Sequence, residues 1–404
     1  MYDFVVMPRF SLVPAYVAAL CTAVVSLPSA ADPVHRDAAL RLDTLMRQGG
    51  TYVVASTGGG HAELTLDPAL QESTEDVLRT FQIPYAGVVV LSVHDGRVLA
   101  MVGRSAVDPT LGAAELALRP WAPAASVFKV VSAAALVSEG GLSSHSLTCY
   151  HGGVSAILPD NLIDIPRIDR RCDTLGYGLG KSQNAILAKL ATRHLTADKL
   201  ERVGHAFGFE SAIPFDMPLE PSHLDVPTDG LEFARTAAGF WHSTLSPMHG
   251  ALLAAAIANR GIMPAPTLVD RAYDAEGRLL PASMARPHSV VDVATAREVG
   301  RMMELTTRIG TAKGTFRDKR GHRYLPIEVA GKTGTLSAET DKGYVGYSWF
   351  VGYAPADHPT IAFAVALGNN PNWRIKATYV ARRIVTTYLA EKGDRAATRM
   401  LAAR

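Results

Sequence analysis

The sequence predicts an α/β (α+β) fold in which helices cover a five-stranded, mainly antiparallel sheet and an all-helical subdomain lies beside it. Three observations lead to this prediction. Two β-rich runs flank Asp95-Gly96, a strong turn signal, and indicate a hairpin. A mostly helical stretch follows, from about residue 141 to residue 325. Three further β-rich runs and an amphipathic helix then close the chain, so a cleft is expected between the sheet and the helical part.

The elements follow in a consistent order. "AELTLDPALQESTEDVLRTF" predicts a short strand and a helix, and "GVVVLSV" and "VLAMVGR" are the hairpin strands. Three clear helices occupy the insertion, in "KSQNAILAKLATRHL", "SPMHGALLAAAIANRG" and "VATAREVGRMMELTTRIG". The returning strands are "IEVAGKTGT", "YSWFVGYA" and "TIAFAVALG", before the terminal helix in "NWRIKATYVARRIVTTYLAEKG".

The N-terminus has the pattern of an export signal. Residues 10–31 contain no charged side chain, follow Arg9 and end in small residues suited to cleavage before Asp32. Residues 1–31 are therefore predicted to be a signal peptide or, since the stretch nearly has the length to cross a bilayer, an uncleaved anchor. Translation starts at Met1 or Met7. Residues 32–61 are interpreted as a short linker with a flexible joint in "STGGGH", and residues 62–404 as the functional domain.

Charge and cysteine content narrow the class of protein. The 404 residues have a net charge of +2 without a basic block, so nucleic acid is not an expected partner. Beyond the signal, Cys149 and Cys172 are the only cysteines, and they suggest a disulfide, with two buried free thiols as the alternative. No metal-ligand spacing occurs. The phosphate-loop lookalikes "GYGLGKS" and "VAGKTGT" lack the required first glycine, so no metal or cofactor is expected.

The first candidate motif is Ser126-x-x-Lys129, in "WAPAASVFKVVSAAALVSEGG". Pro123 suits the first turn of a helix that is apolar on every face, which predicts a buried helix. Serine and lysine at i and i+3 share one helix face. Burial and the positive end of the helix disfavour the ammonium, so the amine can take the serine proton. The alternative is a capping serine beside a solvent-seeking lysine.

Two further motifs contain groups suited to holding a peptide. Ser182 and Asn184, in "KSQNAI", stand where a loop enters a helix, although Ser182 can simply cap that helix. "AGKTGTLS" places Lys332 as a cation for a carboxylate, Gly334 for close approach of a ligand backbone, and Thr333 and Thr335 as hydroxyls. This strand can pair with an extended peptide. Its alternative is an ordinary edge strand that contains a glycine.

The order S-x-x-K, S-x-N, K-T-G is the combination found in penicillin-binding proteins and serine β-lactamases. From about residue 62 to the C-terminus the chain resembles a penicillin-binding protein transpeptidase domain, a member of the serine D,D-peptidase family. "GVVVLSVHDGRVLAMVGR", "LSPMHGALLAAAIANRG", "TRIGTAKGTF" and "YSWFVGYAPADHPTIAFAVAL" resemble further stretches of that family. The resemblance implies a β-lactamase/transpeptidase-like fold and a role in peptidoglycan biosynthesis.

The resemblance also implies roles for the motif residues. Ser126 attacks the carbonyl between the two terminal D-alanines of a peptidoglycan stem peptide, and Lys129 is its general base. Ser182 relays a proton to the leaving D-alanine, and Asn184 holds the substrate amide. The backbone N–H groups of Ser126 and Thr335 form the oxyanion hole.

The terminal carboxylate of the stem peptide has its own set of residues in this resemblance. Lys332 positions the carboxylate and supports the proton path through Ser182, while Thr333 and Thr335 hydrogen-bond it. β-Lactams acylate the same serine. Class A β-lactamases activate the deacylating water with a glutamate in an E-x-x-L-N context, which is absent after Ser182. We therefore expect a long-lived penicilloyl-enzyme.

Several alternatives remain open at this point. A D,D-carboxypeptidase, which passes the acyl group to water, has the same motifs as a transpeptidase. A β-lactamase or a β-lactam sensor is less favoured, since a sensor needs further membrane spans or an output domain. The chain departs from the family in having Pro123-Ala124-Ala125 where many relatives have Pro-Gly before the serine. The short segment before residue 62 also argues against a division or elongation synthase with a pedestal domain. The expected partners are stem peptides and β-lactams in the cell envelope.

Overall fold

A computed structural model of the protein describes residues 39–402 except 283, 284 and 342. The predicted signal or anchor over residues 1–31, and the choice between Met1 and Met7, lie outside the described residues. Within residues 39–402, apart from those gaps, no helix combines the length and the apolar character needed to cross a membrane.

The strands run in chain order as β1 (Leu40–Gln48), β2 (Thr51–Ser56), β3 (His61–Leu64), β4 (Tyr85–Ser92), β5 (Val98–Arg104), β6 (Ala122–Pro123), β7 (Leu147–Tyr150), β8 (Arg171–Thr174), β9 (Thr244–Leu245), β10 (Ile262–Met263), β11 (Val269–Tyr273), β12 (His288–Ser289), β13 (Ala330–Thr340), β14 (Gly343–Ala354) and β15 (Ile361–Asn369).

The α-helices are α1 (Pro68–Thr80), α2 (Ala113–Ala117), α3 (Lys129–Ser138), α4 (Leu175–Gly180), α5 (Asn184–His194), α6 (Ala197–Ala206), α7 (Gly230–Ala237), α8 (Pro247–Ala258), α9 (Val293–Arg308), α10 (Lys313–Phe316) and α11 (Ala377–Ala402). Two short 3-10 helices cover Ala125–Val127 and Pro159–Leu162.

The central sheet confirms the predicted fold class. It has five strands in the order β13-β14-β15-β4-β5, and every neighbouring pair is antiparallel. Because side chains alternate along a strand, β4 contributes to two hydrophobic cores. Val89 and Leu91 join the core that contains α3 and α8, whereas Val88 and Val90 join the core under α1 and α11. Helices therefore cover both faces, as the nearly continuous apolar sequences of these strands require.

The segment predicted as a linker is instead largely structured. From Leu40 onward it forms β1 and β2, which continue through β3 to β11 in a second, four-stranded sheet. Tyr52 and Val54 alternate toward the interior and are buried, and Val54 pairs with Ala62 of β3. The alternation was obscured because β1 is largely exposed and shifts register between Arg41 and Met46. Residues 40–61 therefore belong to the folded body.

The insertion between residues 141 and 325 is mainly helical but not all-helical, which corrects the prediction. It contains the short strands β7 to β12. β7 and β8 pair so that Cys149 and Cys172 lie opposite each other, and these two cysteines form a disulfide. β11 belongs to the insertion by sequence but pairs with β3, which lies outside it. Short strands of this kind depend on partners distant in sequence, so local patterns indicate them poorly.

Candidate active site

Ser126 lies in a tight turn ahead of its helix. The 3-10 helix Ala125–Val127 contains Ser126, and the α-helix begins only at Lys129. The prediction that Pro123 occupies the first helical turn is therefore wrong. Pro123 pairs with Thr244 in a two-stranded ladder, and its carbonyl accepts a hydrogen bond of 2.9 Å from Trp349 Nε1. The serine turn is in this way tied to the central sheet before the helix starts.

Backbone conformation explains the delayed start of the helix. Ala125 has φ of 50°, in the left-handed region, which costs a non-glycine residue about 1 kcal/mol. This is one of the positions where the chain departs from the Pro-Gly pattern. Gly239 packs against the turn, because a Cβ at Gly239 would lie 2.4 Å from the carbonyl oxygen of Ala125. A strained turn held by its surroundings is typical of functional sites.

Lys129 is fully buried and faces the serine. Its Nζ lies 2.7 Å from Ser126 Oγ, 3.4 Å from Ser182 Oγ and 2.6 Å from Asn184 Oδ1. Burial holds the pKa of Lys129 well below its ordinary value, and the nearby charge of Lys332 lowers it further. The second cause differs from the helix end invoked from the sequence. A neutral amine in contact with a half-buried hydroxyl can accept its proton.

Ser182 does not cap the helix that follows it. The N-cap of α5 is Gln183, whereas the Ser182 side chain lies between two lysines. Its Oγ is 2.9 Å from Lys332 Nζ and 3.4 Å from Lys129 Nζ. Ser182 also has a left-handed φ of 56°. The hydroxyl therefore bridges the two amines, and the simple capping interpretation is wrong.

Asn184 anchors the site from the first residue of α5. Its Oδ1 accepts a hydrogen bond from Lys129, and its Nδ2 donates one of 2.9 Å to the carbonyl oxygen of Val154. The residue is buried, with 8% of its surface exposed. Asn184 thus orients the general-base candidate and joins it to the loop after β7. The amide nitrogen has a second N–H, which can donate to a substrate as predicted.

The third motif lies on β13, the edge strand of the central sheet. Lys332 is fully buried, and its Nζ donates to Ser182 Oγ and to the carbonyl oxygen of Thr333. Burial lowers the pKa of Lys332 to about 7. Thr333 is half-buried and Thr335 is exposed. An edge strand with two hydroxyls beside a titratable cation suits an extended ligand that ends in an anion.

Gly334 has a different role from the one expected. A Cβ at this position would lie 3.0 Å from Trp349 Cβ, 3.2 Å from Val127 Cγ2 and 3.3 Å from the carbonyl oxygen of Ala124. The missing side chain therefore makes room for the serine turn to pack against β13, not for a ligand. The glycine brings the Lys332 strand and Ser126 together within one cleft.

The structure adds one hydroxyl that sequence analysis did not identify. Thr311 Oγ1 lies 2.6 Å from Thr333 Oγ1. Thr311 belongs to "TRIGTAKGTF", which was noted only as a stretch that resembles the family. A threonine in a loop between helices has no local pattern that indicates a site, so only the fold places it beside the third motif.

The comparisons with known proteins agree with this geometry. The model of the penicillin binding protein transpeptidase domain matches residues 86–386. The chain belongs to this family. It is 28% identical to the peptidoglycan D,D-transpeptidase PbpA of Mycobacterium tuberculosis, over 79% of this chain and 69% of that protein. The resemblance identified from the motifs is therefore confirmed.

Solved structures show the same fold. The D,D-transpeptidase domain of a peptidoglycan glycosyltransferase from Eggerthella lenta matches with a TM-score of 0.66 and 25% identity, covering 82% of this chain and 83% of that one. Penicillin-binding protein A of M. tuberculosis, solved as an imipenem acyl-enzyme complex, matches with a TM-score of 0.67 and 23% identity, over 82% and 80% of the two chains. This penicillin-binding fold thus carries the cluster of Ser126, Lys129, Ser182 and Lys332.

Proposed function

We propose that this penicillin-binding protein is an exported serine D,D-transpeptidase, which cross-links peptidoglycan stem peptides through an acyl-enzyme on Ser126. The observation that carries the proposal is the contact of 2.7 Å between Ser126 Oγ and the fully buried amine of Lys129. Burial lowers the pKa of Lys129, which favours the neutral amine that can accept the serine proton. The name of the mycobacterial relative, a peptidoglycan D,D-transpeptidase, supports the reaction class.

Acylation breaks the amide between the two terminal D-alanines. Ser126 Oγ forms a bond to the carbonyl carbon while Lys129 takes the hydroxyl proton. Negative charge on the carbonyl oxygen is stabilised by the backbone N–H groups of Ser126 and Thr335. The C–N bond then breaks, and the leaving D-alanine nitrogen receives its proton through Ser182, whose hydroxyl lies 3.4 Å from Lys129 Nζ. An ester on Ser126 and free D-alanine are the products.

Substrate binding uses the edge strand and its cation. The terminal carboxylate meets Lys332, Thr333 and Thr335, and carboxylate binding favours the charged form of Lys332. Asn184 donates its remaining N–H to the substrate amide. Pairing of the peptide with the free edge of β13 sets its register toward Ser126. The positions of these groups along one strand and one helix entry support a linear peptide substrate.

Deacylation completes the cycle by transfer to an amine. In a transpeptidase the amine of a second stem peptide attacks the ester, restores the Ser126 hydroxyl and forms the cross-link. In a D,D-carboxypeptidase water takes the place of the amine. β-Lactams acylate Ser126 in the same way, and the adduct is long-lived because the chain lacks the E-x-x-L-N glutamate. The predicted signal or anchor supports action in the cell envelope. The folded body that carries the site includes β1 and β2 as well as the predicted domain from residue 62 onward.

The first experiment measures the intact mass of the protein from Asp32 onward after mixing with benzylpenicillin, alongside Ser126→Ala. We expect a single adduct that persists for hours in the wild type and no adduct in the variant. An adduct in Ser126→Ala would overturn the assignment of the nucleophile. Loss of the wild-type adduct within seconds, with penicillin consumed, would instead indicate a β-lactamase.

A second experiment distinguishes the acceptors. The protein is incubated with a peptide donor that ends in D-Ala-D-Ala and with increasing concentrations of an amine acceptor, and the products are separated by mass. A transpeptidase forms the transfer product at the expense of the hydrolysis product as the amine increases. Hydrolysis that is unaffected by the amine would make the chain a D,D-carboxypeptidase.

A further inference from the structure

We infer that Thr311 is a positioning residue, which orients the Thr333 hydroxyl toward the carboxylate of the donor substrate. This inference rests on the proposed function. The two hydroxyl oxygens lie 2.6 Å apart, a short hydrogen bond for an O–H donor. Among the residues that the structure describes, Thr311 is the side chain in hydrogen-bond contact with the Thr333 hydroxyl.

The direction of the hydrogen bond between the Thr311 and Thr333 hydroxyls determines which proton is left for a ligand. Two hydroxyls carry two protons, and the contact between them consumes one. When Thr311 donates to Thr333, the Thr333 proton is left to point outward at a ligand oxygen. A hydroxyl that already accepts a hydrogen bond is a stronger donor, because chains of hydrogen bonds polarise one another. The pair is therefore suited to a strong acceptor such as a carboxylate.

The backbone holds Thr311 at this position. Its N–H donates 3.1 Å to the carbonyl oxygen of Gly180, which lies two residues before Ser182. The adjoining Gly310 packs so closely that a Cβ there would lie 2.0 Å from the same oxygen. At the end of α9, Thr307 Oγ1 donates 2.6 Å to the carbonyl oxygen of Val329, just before β13. The loop that carries Thr311 is thus connected to both the Ser182 segment and the Lys332 strand.

This arrangement gives Thr311 a defined effect. Since its hydroxyl contacts neither Ser126 nor Lys129, its removal leaves the nucleophile and base in place. Only ligands that present an anion to β13 gain from the oriented Thr333 hydroxyl. We therefore expect the contribution of Thr311 to depend on a free carboxylate in the ligand, whereas a merely structural contribution would not.

The test measures acylation rates by intact mass for the wild type, Thr311→Val and Thr311→Ser. Each protein reacts with benzylpenicillin, which has a free carboxylate, and with its methyl ester, in which the carboxylate is masked. Thr311→Val should react with the acid about fivefold more slowly, the size of one hydrogen bond, and with the ester at the wild-type rate. Thr311→Ser, which keeps the hydroxyl, should restore the rate with the acid.

Two results would overturn the inference. An equal loss with the acid and the ester would show that Thr311 supports the fold of the cleft, and an unchanged rate with the acid would show that its hydroxyl is not used. Thr333→Val and the double variant provide a second measurement, because a positioning residue adds no further loss once Thr333 is gone. If Thr311→Val does not fold, Thr311→Ala is used in the same comparison. Failure of the wild type to form an adduct would contradict the proposed function instead.

Discussion

Two buried lysines in neighbouring parts of this protein show how the surroundings decide what a lysine does. Lys129 and Lys189 are both fully buried. The contacts of Lys129 are two serine hydroxyls and an amide oxygen. Lys189 contacts two carboxylates, Asp169 at 2.7 Å and Asp164 at 3.0 Å. Among the described residues, no carboxylate pairs with the amine of Lys129, whereas two pair with the amine of Lys189.

The carboxylates around Lys189 behave as members of a stabilising cluster. Burial by itself would raise the pKa of Asp169, but hydrogen bonds from Lys189 and His151 outweigh it and lower that pKa below its usual range. The amine of Lys189 also donates 2.9 Å to the carbonyl oxygen of Cys149. The cluster therefore ties α5 to the loop between β7 and β8. Burial without a counterion favours a base, whereas burial with one favours a structural ion pair.

The largest expected effect is on catalysis, through Lys129. In Lys129→Met no amine is left to take the Ser126 proton, and we expect the rate of acylation by benzylpenicillin to fall by roughly 10³-fold. The rate is measured by intact mass. Because no carboxylate loses its ammonium partner, Tm should change less in Lys129→Met than in Lys189→Met. Acylation of Lys129→Met at the normal rate would exclude this lysine as the base.

The next effect is on stability, through Lys189. Lys189→Met leaves Asp169 buried without its ammonium partner, which we expect to lower the free energy of unfolding by about 3 kcal/mol. Urea denaturation measures the change. Arg193→Met is the matched control on the same helix, since Arg193 pairs with the largely exposed Asp164 and its loss should hardly move the midpoint. Equal changes in both variants would remove the contrast between buried and exposed pairs.

The disulfide closes the segment that carries the Lys189 partners. It links residues separated by 23 positions, so the double variant Cys149→Ser, Cys172→Ser should lose about 3 kcal/mol of stability through the unfolded state, an effect comparable to that of Lys189→Met. Urea midpoints of the wild type with and without reductant provide the same comparison without mutation. Alkylation of both cysteines in the unreduced protein would show that the thiols are free.

The smallest expected effect is a pH dependence of acylation that arises from Lys332. The proposed reaction requires Lys129 neutral and Lys332 charged, and burial lowers the pKa of Lys332 to about 7. Its charged form, and with it kcat/KM for acylation, is lost as pH rises through that value. We expect a fall of roughly fivefold between pH 7 and pH 8, from a single titration of the free enzyme. A pH-independent rate over this range would mean that Lys332 stays charged.

Much of the fold was predictable because its signals are local. Asp95-Gly96 marks the turn between β4 and β5, and the apolar runs of β14 and β15 indicate strands covered on both faces. The hairpin of β1 and β2 was missed, since its alternation is short and the sheet that it joins is completed by β11, which pairs with β3 from about 200 residues further along the chain. The start of α3 was misplaced because a left-handed Ala125 has no sequence signature.

The candidate site, like the fold, was predictable only in part. The motifs identify the residues, since the proposed chemistry needs a nucleophile, a base and a carboxylate-binding cation in a known order. Their contacts could not be predicted: Gly334 faces the serine turn instead of a ligand, and Asn184 orients Lys129 through one atom and a loop through the other. Thr311 was not identified at all. Each of these contacts joins segments that are far apart in the chain.

The sequence by itself determined the family, the order of the motifs and the two-part architecture, because spacing and hydrophobic period are local properties that the chain carries before it folds. Only the tertiary structure decided the surroundings of each lysine. The S-x-x-K spacing indicates Lys129 as the candidate base, but nothing nearby in sequence shows that Lys129 and Lys189 are both fully buried or that Lys189 has carboxylate partners. The distinction arises where Asp169 reaches one amine and only neutral oxygens reach the other, since the pKa of a buried group depends on what folding places around it.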